Sequence, residues 1–171
     1  MSEISAPTSG NVAQDFRLAM RRLAATVTIL STSDAEGKRF GMVATAVNSV
    51  TMDPPTLLVC VNQSASIHAP LRERERFCVN VLMDEHGALV PVFSGQKSGE
   101  ERFASGDWRQ DQDLPYLEGA QSNLFCSIES VTTVGTHSLV IARVTDVRVA
   151  EPVAPLLYAD GRLAVLDSRS A

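Results

Sequence analysis

The hydrophobic period changes once near the start of the chain, and the change separates helix from sheet. Phe16, Met20 and Leu23 fall at i, i+4 and i+7, an apolar stripe with Arg17, Arg21 and Arg22 lying off it. That spacing predicts an amphipathic helix over residues 14–25. From Thr26 the pattern is short and β-branched. "TVTILSTS" (26–33), "RFGMVATAVNSV" (39–50), "TLLVCVNQ" (56–63) and "RFCVNVLM" (76–83) each predict a strand. "DAEGK" (34–38) predicts a hairpin turn around Gly37, and Asp53-Pro54-Pro55 a second turn, in which Pro54 fixes φ and pushes Asp53 towards extended geometry.

"DEHGALVPVFSG" (84–95) predicts a weak helix or loop, broken at Gly87 and Pro91. After a polar stretch containing Trp108, "NLFCSIESVTTV" (123–134) and "HSLVIARVTDVRVAE" (137–151) predict two long strands about a tight Gly135-Thr136 turn. "GRLAVL" (161–166) predicts a last short strand. The sum is mainly β: about seven or eight strands in mostly neighbouring order, an N-terminal helix and one or two short helices. Continuous strands with turn punctuation predict a closed antiparallel barrel rather than a βαβ sheet. With no internal repeat and no second boundary, the expectation is a flexible N-terminus (1–12), a single domain (13–167) and a tail (168–171).

Composition narrows the partners. The chain has 171 residues, 44% hydrophobic and 20% charged, enough to bury a sizeable core. A net charge of -5 argues against nucleic acid. Arg72, Arg74 and Arg76 alternate with Glu73 and Glu75, a solvated segment. No apolar run approaches the roughly 20 residues of a membrane span, and "MSEISAPTSGNVAQ" lacks the pattern of a signal peptide. Cys60, Cys78 and Cys126 make an odd count without C-x-x-C, which suggests reduced thiols in a cytoplasm, each acting as a small buried hydrophobe. His68, His86 and His137 show no metal-ligand spacing, so no metal site is expected.

One region carries candidate chemistry. Thr45, Asn48 and Ser49 end one strand beside the prolyl turn, and the following strand runs into "NQSAS" (62–66). Ser64 is an N-cap candidate for a helical turn over "SASIHAPLRERE". The free N–H groups of such a turn, flanked by hydroxyls, can cradle a phosphate, or Ser64 can simply cap. No G-x-G-x-x-G, Walker motif or G-x-S-x-G occurs, and no acid, base and nucleophile set stands out. Paired carboxylates at Glu100-Glu101 and Asp84-Glu85 read as exposed. His137 opens an apolar strand after a tight turn, where it can donate to a phosphate or carbonyl, shuttle a proton, or only finish the hairpin.

Four blocks, "GMVATAVNSVTMDPPTLLVCVNQSAS", "RFCVNVL", "FSGQKSGEERFASGDW" and "VGTHSLVIARV", resemble the short-chain flavin reductases. The resemblance is to reductase components of two-component aromatic hydroxylases, of the 4-hydroxyphenylacetate and chlorophenol monooxygenase kind. It spans about residues 16–166. It implies a Greek-key split β-barrel, a homodimer with flavin near the subunit interface, and hydride transfer from NADH or NADPH to FAD or FMN. The reduced flavin would then diffuse to a separate monooxygenase. On this resemblance Val43, Ala44, Thr45, Ala46, Asn48 and Ser49 lie against the isoalloxazine, mainly through backbone amides. Cys60, Val61, Asn62, Gln63, Ser64, Ala65 and Ser66 bind the ribityl chain and phosphates, and Lys97 makes a second phosphate or adenine contact. His137 and Arg162 lie on the nicotinamide side. A non-catalytic flavin-binding barrel, or a reductase with tightly bound flavin acting on another acceptor, stays open as a second reading. Since the cofactors carry the chemistry, the missing acid-base set is expected.

Overall fold

The computed structural model describes residues 10–166, so most of the proposed flexible N-terminus and the tail lie outside the described residues. Helix α1 (Val12–Met20) starts earlier than its stripe suggests, because Asn11 caps it: the Asn11 Oδ1 accepts from the N–H groups of Ala13 and Gln14. It also ends earlier, before the short strand β1 (Ala25–Thr26). None of its residues is buried, so its stripe is not core.

The main sheet has seven strands in the order β3-β2-β6-β9-β10-β5-β4, all antiparallel neighbours. They are β2 (Thr28–Ser33), β3 (Arg39–Ala44), β4 (Val47–Met52), β5 (Pro55–Asn62), β6 (Arg76–Val81), β9 (Ser122–Val134) and β10 (His137–Val149). A seven-residue helix α2 (His68–Arg74) lies between β5 and β6. The stretch expected as one strand over 39–50 is two strands at opposite edges of this sheet. Thr45 and Ala46 carry the chain from one edge to the other, and the Ala46 carbonyl already accepts the Cys60 N–H of β5. The barrel is therefore split, not closed: its edges β3 and β4 are joined covalently but do not pair. Periodicity alone cannot show this, since a strand that changes neighbours keeps its period of two.

Strand β2 is buried along its whole length because cores lie on both of its faces. Leu30 faces a barrel interior with Val59, Val61, Ile67, Phe77 and Val140. Ile29 faces a second core with Leu82, Val92, Phe93 and Phe103. Short helical turns over residues 84–104 cover that second core. Phe93, Phe103 and Trp108 pack there with ring centroids 4.9–5.3 Å apart. Gly41 of β3 permits the approach: a Cβ there would lie 2.7 Å from the Phe93 ring.

The polar stretch around Trp108 forms a hairpin that the pattern did not predict, β7 (Trp108–Asp111) and β8 (Leu114–Leu117). Its two turn residues, Gln112 and Asp113, both have positive φ without being glycine, so the usual Asn-Gly or Asp-Gly mark is absent. The last segment is also a hairpin, β11 (Leu157–Ala159) and β12 (Arg162–Ala164), about Asp160-Gly161. It joins β1 in a small three-stranded sheet.

Candidate functional site

The residues singled out around the prolyl turn are brought together by the change of edge at Thr45-Ala46. A cavity of about 840 Å³ opens there, lined by Thr45, Ala46 and Asn48 on one side and His137 on another. Its remaining wall comes from α1, the residues that follow it, and Tyr158 of β11. Phe16 and Met20 of α1 and Leu23 just beyond it, the predicted apolar stripe, line this cavity. Such a volume is in the range of small-molecule sites, which run from about 300 to 1,000 Å³.

Strand register explains the convergence. Thr136 and Gly135 form the turn between β9 and β10, and His137 pairs opposite Asn62 at the end of β5. The Gln63 N–H donates to the Thr136 carbonyl, and the Gln63 amide reaches Thr133 at 3.5 Å. His68 of α2 bonds the buried Ser138 hydroxyl at 2.9 Å, which pins the start of β10 beside His137. The "NQSAS" segment therefore lies alongside the mouth of β10.

Ser64 does not cap a helix. Helix α2 begins at His68 with Ile67 before it and no side-chain cap. The Ser64 N–H and hydroxyl both donate to Asn62 Oδ1 at 2.9 Å, an Asx turn that closes the segment on itself. The proposed helix N-terminal cradle is thus not formed there. The Ser64 hydroxyl turns back to Asn62, two residues away, an interaction equally available in the sequence.

Polar satisfaction separates the rest. Among the described residues the side chains of Thr45, Asn48, Ser49 and Ser66 make no hydrogen bond. Thr45, Asn48, Ser49 and Ser66 are exposed. The Thr136 hydroxyl lies 3.0 Å from His137 Nδ1. Where that hydroxyl donates, the ring proton sits on Nε2, which then offers a donor with no protein partner. Val61 and Ala44 turn into the barrel core, and Val43 packs on the second core, so only their backbones can face a ligand. Strand β3 is a sheet edge, where part of its N–H and C=O groups is left unpaired by β2. Cys60, Asn62 and Ala65 are half-buried, and Gln63 is exposed.

The flavin reductase like domain matches residues 20–167 of this chain. The chain is a member of that family. It is 43% identical over 149 residues to the FADH(2)-dependent resorcinol hydroxylase reductase component of Rhizobium sp. strain MTP-10005, covering 86% of this chain and 83% of the relative. It is 39% identical over 150 residues to the FMN reductase (NADH) RutF of Pantoea ananatis, covering 87% and 78%. The structure of the flavin reductase PheA2 superposes with a TM-score of 0.81 at 27% identity, covering 91% of this chain and 98% of that one.

Within this flavin reductase domain only Thr45, Ala46, Asn48 and His137 of the expected residues line the cavity among the described residues; the others do not, Lys97 and Arg162 among them. Lys97 is exposed in the turns over residues 84–104; Arg102 ties its segment to β3, donating to the Lys97 carbonyl at 2.8 Å and the Gly41 carbonyl at 2.7 Å. Arg162 is exposed on β12, opposite Ala159, and does not line the cavity. Conversely, the pattern did not mark Tyr158, Arg17 or Arg21 as site residues, though all three line it. Only the apolar stripe beside the arginines hinted that α1 faces something. The cysteines are free, and burial pushes the Cys126 thiol up to about 12 and the Cys78 thiol well up, so both stay protonated hydrophobes.

Proposed function

We propose that this flavin reductase family member transfers a hydride from NADH to FAD or FMN and passes the reduced flavin to a separate aromatic monooxygenase. The observation that carries the reading is the cavity at the β3–β4 link, where Thr45, Asn48 and His137 converge with donors and acceptors left unpartnered. Those residues fit a flavin and a dihydronicotinamide: neutral hydroxyls and amides, an edge strand with free backbone groups, and among the described residues no carboxylate in the lining to repel phosphates. The two cofactors supply the redox chemistry when bound. The chain's part is positioning. The β3 edge and the Thr45 and Asn48 side chains orient the ring system. Asn62 to Ser66 take the ribityl and phosphate end, with the Ser66 hydroxyl free to donate. His137 donates through Nε2 on the nicotinamide side. A site without a general base suits this division of labour.

Similarity supports the cofactor classes: one relative's name specifies FMN and NADH, another's FADH(2) and a hydroxylase partner. The proposal includes a homodimer. Strand β4 is an exposed sheet edge, with Val50 and Met52 at 55% and 78% exposure, beside a largely apolar groove lined by Val47, Leu124, Val144 and Val147. Unpaired edges and apolar faces together invite a second copy. No helix among the described residues is long and apolar enough to cross a membrane. Free thiols suit the reducing cytoplasm.

The test is to mix purified protein with NADH or NADPH and with FAD, FMN or riboflavin, and to follow the loss of dihydronicotinamide absorbance. Flavin-dependent oxidation is expected. Tight flavin binding with no oxidation of either dinucleotide would favour the binding-only barrel. Light scattering at micromolar protein is expected to report about twice the chain mass.

A further inference from the structure

The cavity's charge is at odds with that of the chain. The protein carries a net charge of -5, yet among the described residues no Asp or Glu lines the cavity, while two arginines do, Arg17 and Arg21. The two differ. Arg21 is engaged by the β11–β12 turn: its Nε lies 3.4 Å from Asp160 Oδ1, and its carbonyl accepts the Asp160 N–H at 2.7 Å. Arg17, in the last turn of α1, has no side-chain ion pair or hydrogen bond among the described residues. Helix α1 buries none of its own residues and stands as one wall of the cavity, so packing does not explain why an arginine is placed there.

We propose that Arg17 is a specificity-determining residue that receives the pyrophosphate of the dinucleotide substrate. This rests on the reductase reading above. His137 lines the same cavity as Arg17, whereas the segment from Asn62 to Ser66 assigned to the flavin phosphates does not. A dinucleotide whose nicotinamide lies by His137 extends its pyrophosphate within the one space they share. A guanidinium binds phosphate oxygens in pairs, and an unpaired one has no internal partner to release first. Arg21, held by Asp160, fixes α1 against the β11–β12 hairpin so that Arg17 stays on the cavity wall.

Calorimetry on flavin-free protein tests this without turnover, using ADP-ribose, which carries the pyrophosphate but no nicotinamide. Arg17→Ala is expected to weaken ADP-ribose binding on the order of tenfold, the scale of a lost charge-assisted contact. Arg17→Lys should recover only part, since the ammonium lacks the two-pronged fork. In steady-state assays at saturating flavin, the KM for NADH should rise by a similar factor with kcat little changed. The KM for dihydronicotinamide riboside, a hydride donor without phosphate, should not move. An ADP-ribose affinity unaffected by Arg17→Ala, or no ADP-ribose binding by the wild-type protein, overturns the assignment. So does an equal rise in KM for the phosphate-free donor, which would mean that α1 only shapes the cavity. Failure of the reductase reading looks different: wild-type protein would oxidise no dinucleotide with any flavin, while calorimetry would still judge Arg17 by itself.

Discussion

Strands β2 and β4 are six residues each and belong to the same sheet, and both are rich in small polar side chains. Strand β2 buries every residue, and each of its hydroxyls finds a backbone carbonyl. Thr28 donates to Ala44, Ser31 to Pro115, Thr32 to Arg76 and Ser33 to Asp113, at 2.5–2.7 Å. Beside it, buried Asn80 completes the stitch. Its amide donates to the Ile29 carbonyl and the Ser31 hydroxyl, and its Oδ1 accepts from the Leu117 N–H and from Asn123. This network fastens the β7–β8 hairpin over the sheet. Strand β4 is the reverse: a sheet edge, exposed over five of its six residues, with Asn48 and Ser49 unpartnered among the described residues. Thr51 alone turns inward on its own chain, bonding the Asp53 backbone. Saturated polar groups in a dry setting hold structure, because an orphaned one there is costly. Unsaturated ones at an open cavity are available to a ligand.

The sharpest way to break that contrast is at Asn80. Asn80→Ala strips partners from buried donors and acceptors on three strands and should destabilise the fold by about 3–5 kcal/mol, read from the urea midpoint. A loss under about 1 kcal/mol would mean that the stitch is ornamental. The matching change on the open side is Thr45→Ala with Asn48→Ala. Stability should stay within about 0.5 kcal/mol, as for ordinary surface positions. Flavin affinity should fall by about 1–3 kcal/mol in total, measured by fluorescence titration. The opposite pattern, lost stability with intact flavin binding, would place these residues in the scaffold.

A finer comparison sets two histidines against each other. His137 belongs to the open side, so His137→Ala should lower kcat/KM for NADH by about 1–2 kcal/mol and leave the melting temperature alone. Unchanged NADH kinetics with a lower melting temperature would make it a hairpin residue only. His86 belongs to the closed side. Its Nδ1 accepts the Met83 N–H at 3.1 Å, and burial holds its pKa below the usual histidine range against the pull of Glu85 and Asp84. A depressed histidine is neutral in the folded chain while the unfolded chain takes up a proton near pH 6.5. Its contribution is therefore complete above about pH 6.5 and is lost as pH falls below that value, levelling off below the folded pKa. Thermal melts from pH 7.5 to 5.5 should show this as a small decline that His86→Gln reduces. This is the smallest effect expected, and a slope unchanged in His86→Gln would assign the decline to the carboxylates.

Much of this was legible in the residues. Strand periods marked β2, β5, β6, β9 and β10, and the motif blocks pointed to the family that the comparison then established. His137, Thr45, Ala46 and Asn48 were named from the sequence and do share one cavity. The failures were local choices between competing partners. Ser64 has the right type for a cap, but it closes an Asx turn with Asn62 and helix α2 starts only at His68. The β7–β8 turn uses Gln112-Asp113 in a conformation that favours glycine or asparagine, so its pattern was silent.

The sequence by itself determined what is short-range: which segments alternate, where turns fall, and which blocks carry the family's signature. These depend on residue type and spacing along a few positions. Only the tertiary structure decided which of the similar hydroxyls would be buried and which left open. Thr28 and Thr45 are both threonines in strand-like sequence. Thr28 lies on a central strand with cores on both faces and donates to Ala44, while Thr45 sits where the chain crosses between two unpaired edges. Burial and partnership are set by neighbours far along the chain, Ala44 for one and the β10 mouth and α1 for the other. No local pattern encodes the meeting of those neighbours.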